Sequence, residues 1–254
     1  SSYTDEQLFN VSADFEGLLL TLPVNLIDSC ESGKANPGLL GQFVYLQMLE
    51  EEGVAERIPN GYQIPTDSAV SLDLNLRNLL QLPDAWPGGM AIDVKGHSTS
   101  NSFKLSLSLI GSREEEEHNF RFNGPLLHLT DNEFYLPNAL QWLVFETVNS
   151  HNDLQESERG EYANLVAITR LQKAQSDGLA ITLRHFENLR AVEPESVTVS
   201  IEIDSEGNGE LIPAFRGLSP NDIKERLVQV RNKDTQSIRI KNTIVLLDEN
   251  KIEA

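Results

Sequence analysis

The sequence predicts an α+β fold, and three observations predict it. Apolar residues recur at helical spacing in the first third and again after Pro137; between and beyond those stretches the period drops to two; glycine, proline and asparagine punctuate the changes. The expected order is a helical N-terminal part, antiparallel β hairpins, a helical middle, then further strands and a helix at the C-terminal end.

Pro37 and Gly38 open the clearest early helix. Leu39, Leu40, Phe43, Val44 and Leu46 supply its apolar face, Glu50 to Glu52 lie beyond, and Gly53 stands where a C-terminal cap is needed. Residues 54–58 and 62–64 then flank Pro59-Asn60-Gly61, a hairpin signature because Asn-Gly tolerates positive φ. A helix followed by a small hairpin is wing-like. Winged helices grip DNA with such a unit, but this one lies in the most acidic part of the chain with only Arg57 nearby, so packing or partner docking is the plainer reading.

A second helix is expected from about Asp67 to Leu82, ended by Pro83. Pro83-Asp84-Ala85-Trp86-Pro87-Gly88-Gly89 is the best internal boundary, dividing a helical, wing-like subdomain (1–84) from an α+β domain (85–254). Met90, Ile92 and Val94, then Phe103, Leu105, Leu107 and Leu109, alternate with polar residues as half-buried antiparallel strands do. The run Glu114 to Glu117 belongs on an exposed hairpin tip, because four adjacent carboxylates repel one another inside a packed environment. Phe120, Phe122, Leu127, Leu129, Phe134 and Leu136 continue the sheet.

After Pro137, Leu140, Leu143, Val144 and Val148 share one helical face; Tyr162, Leu165, Ile168 and Leu171 share another before Gly178; Leu183, Phe186 and Leu189 suggest a short third helix. Val197 to Ile203 and Leu211 to Phe215 read as paired strands around a turn at Asp204 to Gly209. Ser219-Pro220 starts a helix carrying Ile223, Leu227 and Val230, and short strands follow at Ile238 to Ile240 and Ile244 to Leu247.

Composition narrows the function classes. The 254 residues include 39% hydrophobic side chains, enough for a sizeable core, and no apolar run is long enough to span a bilayer. Nothing at the N-terminus has the pattern of a secretory signal, and the single cysteine, Cys30, has no partner for an internal disulfide. A cytoplasmic, reducing compartment is expected. Thirty-nine Asp and Glu against 20 Lys and Arg give a formal charge of -19, which disfavours non-specific attraction to nucleic acid or anionic lipid. The acidity is regional. Residues 1–93 hold three basic side chains (Lys34, Arg57, Arg77) against 14 acidic ones, whereas Arg216, Lys224, Arg226, Arg231, Lys233, Arg239 and Lys241 face only three acids over 216–241. That basic stretch is the candidate DNA or partner surface, with a solvated helix-strand face as the plainer alternative. Arg184, Arg190, Arg216 and Arg226 with Phe186 and Phe215 would make a second such surface only if folding gathered them.

Catalytic motifs fail one by one. Gly33-Lys34 lacks the earlier glycine and the following Ser or Thr of a phosphate-binding loop, and Thr243 to Glu249 resembles a Walker B strand with no such loop upstream. Gly96-His97-Ser98-Thr99-Ser100 ends in serine where a nucleophile elbow needs glycine, and it joins two alternating strands rather than a strand and a helix. His97, His118, His128, His151 and His185 include no pair at metal-ligand spacing. No catalytic residue, metal or cofactor is therefore expected.

A resemblance adds to this. Gln42-Phe43-Val44-Tyr45-Leu46-Gln47-Met48-Leu49, Phe103-Lys104-Leu105-Ser106-Leu107-Ser108-Leu109, Asn123-Gly124-Pro125-Leu126-Leu127, Phe134-Tyr135-Leu136-Pro137-Asn138-Ala139-Leu140, Ala167-Ile168-Thr169-Arg170-Leu171 and Glu210-Leu211-Ile212-Pro213-Ala214-Phe215 follow one another in a familiar order. From about Leu39 onward the chain resembles the N-terminal accessory region of large bacterial Swi/Snf-type helicase-like ATPases, such as those of the anti-phage systems DISARM and Zorya. The resemblance implies a non-catalytic module that docks a partner, positions DNA or restrains a downstream motor, and it carries over no catalytic residue. A stand-alone acidic protein, such as a phage-encoded DNA mimic that inhibits a nucleic-acid enzyme, is the alternative.

Overall fold

Residues 10–21 carry strands that the alternation rule does not find. Asn10–Ala13 (β1) is only four residues long, and Gly17–Thr21 (β2) holds an unbroken apolar run, Leu18 and Leu20 buried on one face and Leu19 half-buried on the other. They pair as a hairpin around Asp14, whose carboxylate accepts from the amides of Glu16 and Gly17. In this computed structural model, the residues described are 9–111, 117–184, 190–192, 198–203, 209–214, 237–240 and 243–246, the last five groups as backbone save for Leu246. The class is α+β, as the sequence predicts.

The chain divides into two compact units, 1–90 with 108–143 and 91–107 with 144–254. The Pro83 to Gly89 stretch ends just before the first of these breaks.

In the first unit, Val24–Glu31 (α1) and Pro37–Glu51 (α2) follow the β1-β2 hairpin. Pro37 occupies the first turn of α2 and Gly53 at φ 74 closes the other end, as expected, and Asn36 caps the helix by accepting from the Leu39 amide. Glu56–Ile58 (β3) and Gly61–Pro65 (β4) form the predicted hairpin, with Ile58 opposite Gly61. The hairpin is no free wing: β4 also pairs with β2, in a sheet of order β1-β2-β4-β3, and Tyr62 and Ile64 are wholly buried. Gly61 is needed less for the turn than for that second pairing, since a Cβ there would lie 1.9 Å from the Leu20 carbonyl oxygen.

The helix expected over 67–82 is two short ones, Thr66–Ser71 (α3) and Leu74–Leu79 (α4). Leu72 is extended, and Asp73 caps α4 by accepting from the Leu76 amide, an alternative hydrogen bond that competes with helix continuation. The buried core joins the sheet to these helices through Leu18, Leu20, Phe43, Leu46, Tyr62, Ile64 and Leu80, and extends to Leu126 and Leu136. Phe120 to Leu136 does not prolong a single sheet. Arg121–Asn123 (β8), Leu126–His128 (β9) and Phe134–Tyr135 (β10) form their own three-stranded one, in the order β10-β9-β8.

Gly89–Lys95 (β5) and Lys104–Ile110 (β6) are the alternating strands the sequence predicts, in a sheet ordered β11-β5-β6-β7 with Ile181–Leu183 (β11) and Glu117–His118 (β7). Leu183 is thus in a strand, not the short helix expected; Thr182 points to solvent between buried Ile181 and Leu183, and Phe186 and Leu189 lie outside the described residues. Ala139–Asp153 (α5) and Glu161–Ser176 (α6) are the two predicted middle helices, and α6 packs on β11. Arg190–Val192 (β12) runs parallel to Thr243–Leu246 (β16), which pairs antiparallel with Ser237–Ile240 (β15); Thr198–Ile203 (β13) and Gly209–Ala214 (β14) make the expected hairpin. The helix after Ser219-Pro220 and the Glu114–Glu116 tip lie outside the described residues. No described helix is long and apolar enough to cross a membrane.

Candidate functional site

Of the seven basic residues singled out in the sequence, Arg239 lies on β15 opposite Ile244, and Arg216, Lys224, Arg226, Arg231, Lys233 and Lys241 lie outside the described residues. In the second arginine set, Arg184 pairs with Asp93 at 3.2 Å and Arg190 stands on β12 beside Thr243, whereas Phe186, Phe215, Arg216 and Arg226 are again outside. Asp248-Glu249 is too. Among the described residues no cluster of His, Cys, Asp or Glu is arranged to hold a metal ion.

In the acidic first unit, Arg77 and Arg57 are used within the fold. Arg77, 6% exposed, donates to four backbone carbonyls, those of Leu72, Val70, Leu136 and Pro137, at 2.7 to 3.1 Å. Burial with no facing carboxylate lowers its pKa. Arg57 lies over the rings of Phe43 (5.5 Å) and Tyr62 (5.6 Å), donates to the Tyr62 hydroxyl and is paired with Glu31. It therefore serves packing rather than a phosphate backbone. Arg121 is paired with Asp131, which leaves Lys34 as the one cation of this unit without a partner among the described residues.

Helix α2 is apolar on nearly every side. Leu39, Phe43, Leu46 and Leu49 face the core with Gln42, whose amide donates to the Leu79 carbonyl at 2.8 Å. Val44 and Met48, four residues apart, face outward at 45% and 48% exposure, with Gly41 before them and Glu51 after on the same line. A helix that is apolar all round is normally covered on all sides. The sequence marked Val44 as core because it sits in an apolar run; what it could not separate was which of two apolar faces has a neighbour.

A different arrangement occupies the second unit. The loop between β5 and β6 is the polar connection the sequence predicts, with Gly96 at φ 90, and Asn164 of α6 holds it by donating to the carbonyls of Ser98 (2.8 Å) and Ser100 (3.0 Å). Both amide hydrogens are thereby used, so the Asn164 oxygen must accept from His151 Nε2, 2.8 Å away. His151 is 4% exposed and its ring meets Phe103 edge-on at 5.5 Å. With Nε2 donating, Nδ1 of the neutral ring is an acceptor, and it is buried without a partner, as is Thr147 Oγ1 one turn earlier on α5. Both residues line a cleft of about 270 Å³ between α5 and α6, together with Tyr162, Ala163, Val166, Ala167 and Arg170. His151 carried no sequence signal beyond being a histidine; its pairing with Asn164 depends on how two helices meet.

No protein-family model matches the chain, and comparison with curated proteins finds no match.

Proposed function

We propose that this chain is a non-catalytic accessory module that docks on a larger DNA-translocating ATPase of the Swi/Snf type, in a phage-defence setting. The observation that carries the docking is the exposed apolar line of Val44 and Met48 on α2, on a unit whose charged side chains are mostly acidic. Its complement is a basic amphipathic segment: apolar side chains to cover Val44 and Met48, and Lys or Arg to meet Glu50, Glu51 and Glu52. The motor as partner rests on the ordered resemblance that runs from about Leu39 onward. The internal use of Arg57 and Arg77 argues against DNA as the ligand of this unit, so DNA positioning falls to the basic stretch over 216–241.

The test is binding of the purified chain to the RecA-like lobes of a Swi/Snf-type ATPase encoded beside it, by calorimetry and by its effect on DNA-stimulated ATP hydrolysis. A complex weakened at least tenfold by Val44→Asp with Met48→Glu, at unchanged stability, is the expected result. Absence of any complex would sink the reading. The same acidic surface favours a second one, a stand-alone protein that competes with DNA for a basic groove; displacement of duplex DNA from a nuclease or helicase, with no dependence on Val44 and Met48, would mark it.

A further inference from the structure

We infer that the face of α2 along Gly41, Val44 and Met48 receives an amphipathic α-helix of the partner, which crosses at Gly41 with its backbone close against this chain's. The inference rests on the docking read at Val44 and Met48 and names the form of what docks there. Gly41 stands in the body of a 15-residue helix, with no positive φ, where glycine is the costliest residue short of proline. The fold does not require it, because a Cβ at Gly41 meets no atom within 4 Å among the described residues. Other glycines are explained inside the unit: at Gly17, Gly61 and Gly124 a Cβ would fall 1.9 to 2.2 Å from a backbone oxygen, and Gly33 and Gly53 take positive φ. Gly41, Val44 and Met48 are all exposed and lie three and four residues apart, on one line about 10 Å long. The missing side chain lowers one end of that line, so a helix laid across it can approach to an axial separation of about 8 Å rather than about 10 Å. An extended segment is the poorer occupant. This helix face offers no strand edge, and an extended chain pressed on it would bury amide and carbonyl groups without partners, whereas a helix arrives with its own satisfied. Charge sets the other end. Glu50, Glu51 and Glu52 follow Met48, are exposed, have no cation partner among the described residues, and share that end of α2 with the negative pole of the helix dipole. The occupant is therefore a helix with a glycine, alanine or serine at the crossing, apolar side chains over Val44 and Met48, and lysine or arginine beyond them.

The probe is a peptide of about 20 residues, built from alanine, leucine and lysine with one apolar face and alanine at its centre, titrated into the full chain. Saturable NMR shifts of the Val44 and Met48 methyl groups are expected, with a gain of peptide helicity by circular dichroism. A twin peptide carrying two central prolines should bind about tenfold more weakly. The deciding variant is Gly41→Leu. Leucine favours the helix and adds apolar surface, so it would tighten an occupant that merely covers the face. At a close crossing it holds the partner helix off, and the peptide should bind about tenfold more weakly, with Gly41→Ala weakening it by a smaller factor. Neither variant should lower the urea midpoint, which separates this loss from misfolding. The inference is overturned by an absence of saturable shifts up to about 1 mM peptide, by a peptide that binds without gaining helix, or by Gly41→Leu binding as tightly as the parent. Its failure is distinct from that of the docking reading. A motor complex sensitive to Val44→Asp with Met48→Glu but not to Gly41→Leu keeps the docking and overturns the helix crossing. A peptide that behaves as expected, with no motor complex, keeps the crossing and removes the motor.

Discussion

Arg77 donates to the carbonyl of Pro137 at 2.7 Å, tying α4 to the turn that precedes α5 across sixty residues of chain. Its other hydrogens go to Leu72, Val70 and Leu136, so one planar fork satisfies four buried acceptors from two segments. Arg77→Met leaves those carbonyls unpaired and should cost about 3 kcal/mol or more in urea unfolding. Arg77→Lys should recover little, because a single ammonium cannot reach in the four directions the guanidinium spans. A lysine variant within about 1 kcal/mol of the parent would show that charge, not fork geometry, is what the site uses.

Two glycines should respond in opposite directions to alanine. At Gly61 the added Cβ falls 1.9 Å from the Leu20 carbonyl oxygen at φ 150, so β2 and β4 must part; the expected loss exceeds about 2 kcal/mol. At Gly41, in the body of α2, nothing lies within 4 Å, and alanine should stabilise by about 0.5–1 kcal/mol through helix propensity. Paired denaturant midpoints check both signs in one experiment.

Stability should fall on the alkaline side. Burial pushes the Cys30 thiol above its ordinary 9.0, helped by Glu31, and burial likewise raises Tyr62 above 10.0 against the opposing charge of Arg57. The unfolded groups ionise first, so their contribution is complete below pH 9.0 and is lost as pH climbs through the folded values. Urea midpoints from pH 7 upward should hold level and then decline, and Cys30→Ala should remove the earlier part of that decline. In the native state at pH 8, Cys30, only 3% exposed, should react with a thiol reagent no faster than the chain unfolds.

How much of this was legible follows from what each signal depends on. Alternation gave β5 and β6, and Pro37-Gly38 and Gly53 gave the ends of α2, because those depend on neighbours in sequence. β2 escaped because Leu18-Leu19-Leu20 is apolar at every position and shows no alternation, and the break at Leu72-Asp73 escaped because Asp73 caps locally inside an apolar periodicity. The site residues divide the same way. The charge asymmetry was plain in composition, but that Arg57 and Arg77 are spent on Tyr62, Glu31 and backbone carbonyls is a tertiary fact. So is the joining of His151 to Asn164 and, through it, to the loop at Ser98 and Ser100.

That last connection makes its own prediction. Asn164 is wholly buried and is used at three places: its two amide hydrogens hold the β5–β6 loop, and its oxygen sets the His151 tautomer. Asn164→Asp keeps the acceptor for His151 but turns a carboxylate oxygen toward the two serine carbonyls; Asn164→Leu removes all three bonds and leaves the His151 Nε2–H without its acceptor. Each should cost about 2–4 kcal/mol, since buried polar groups lose partners in both. The variants separate in their local effects. Amide exchange over residues 96–103 should quicken in both, because the loop anchor is gone in both. The ring nitrogens of His151 should keep the parent's pattern of a protonated Nε2 in the aspartate variant and lose it in the leucine variant. A leucine variant that retains the pattern would mean that the tautomer is set by something other than Asn164, and the assignment of Nδ1 as a free acceptor would fall with it.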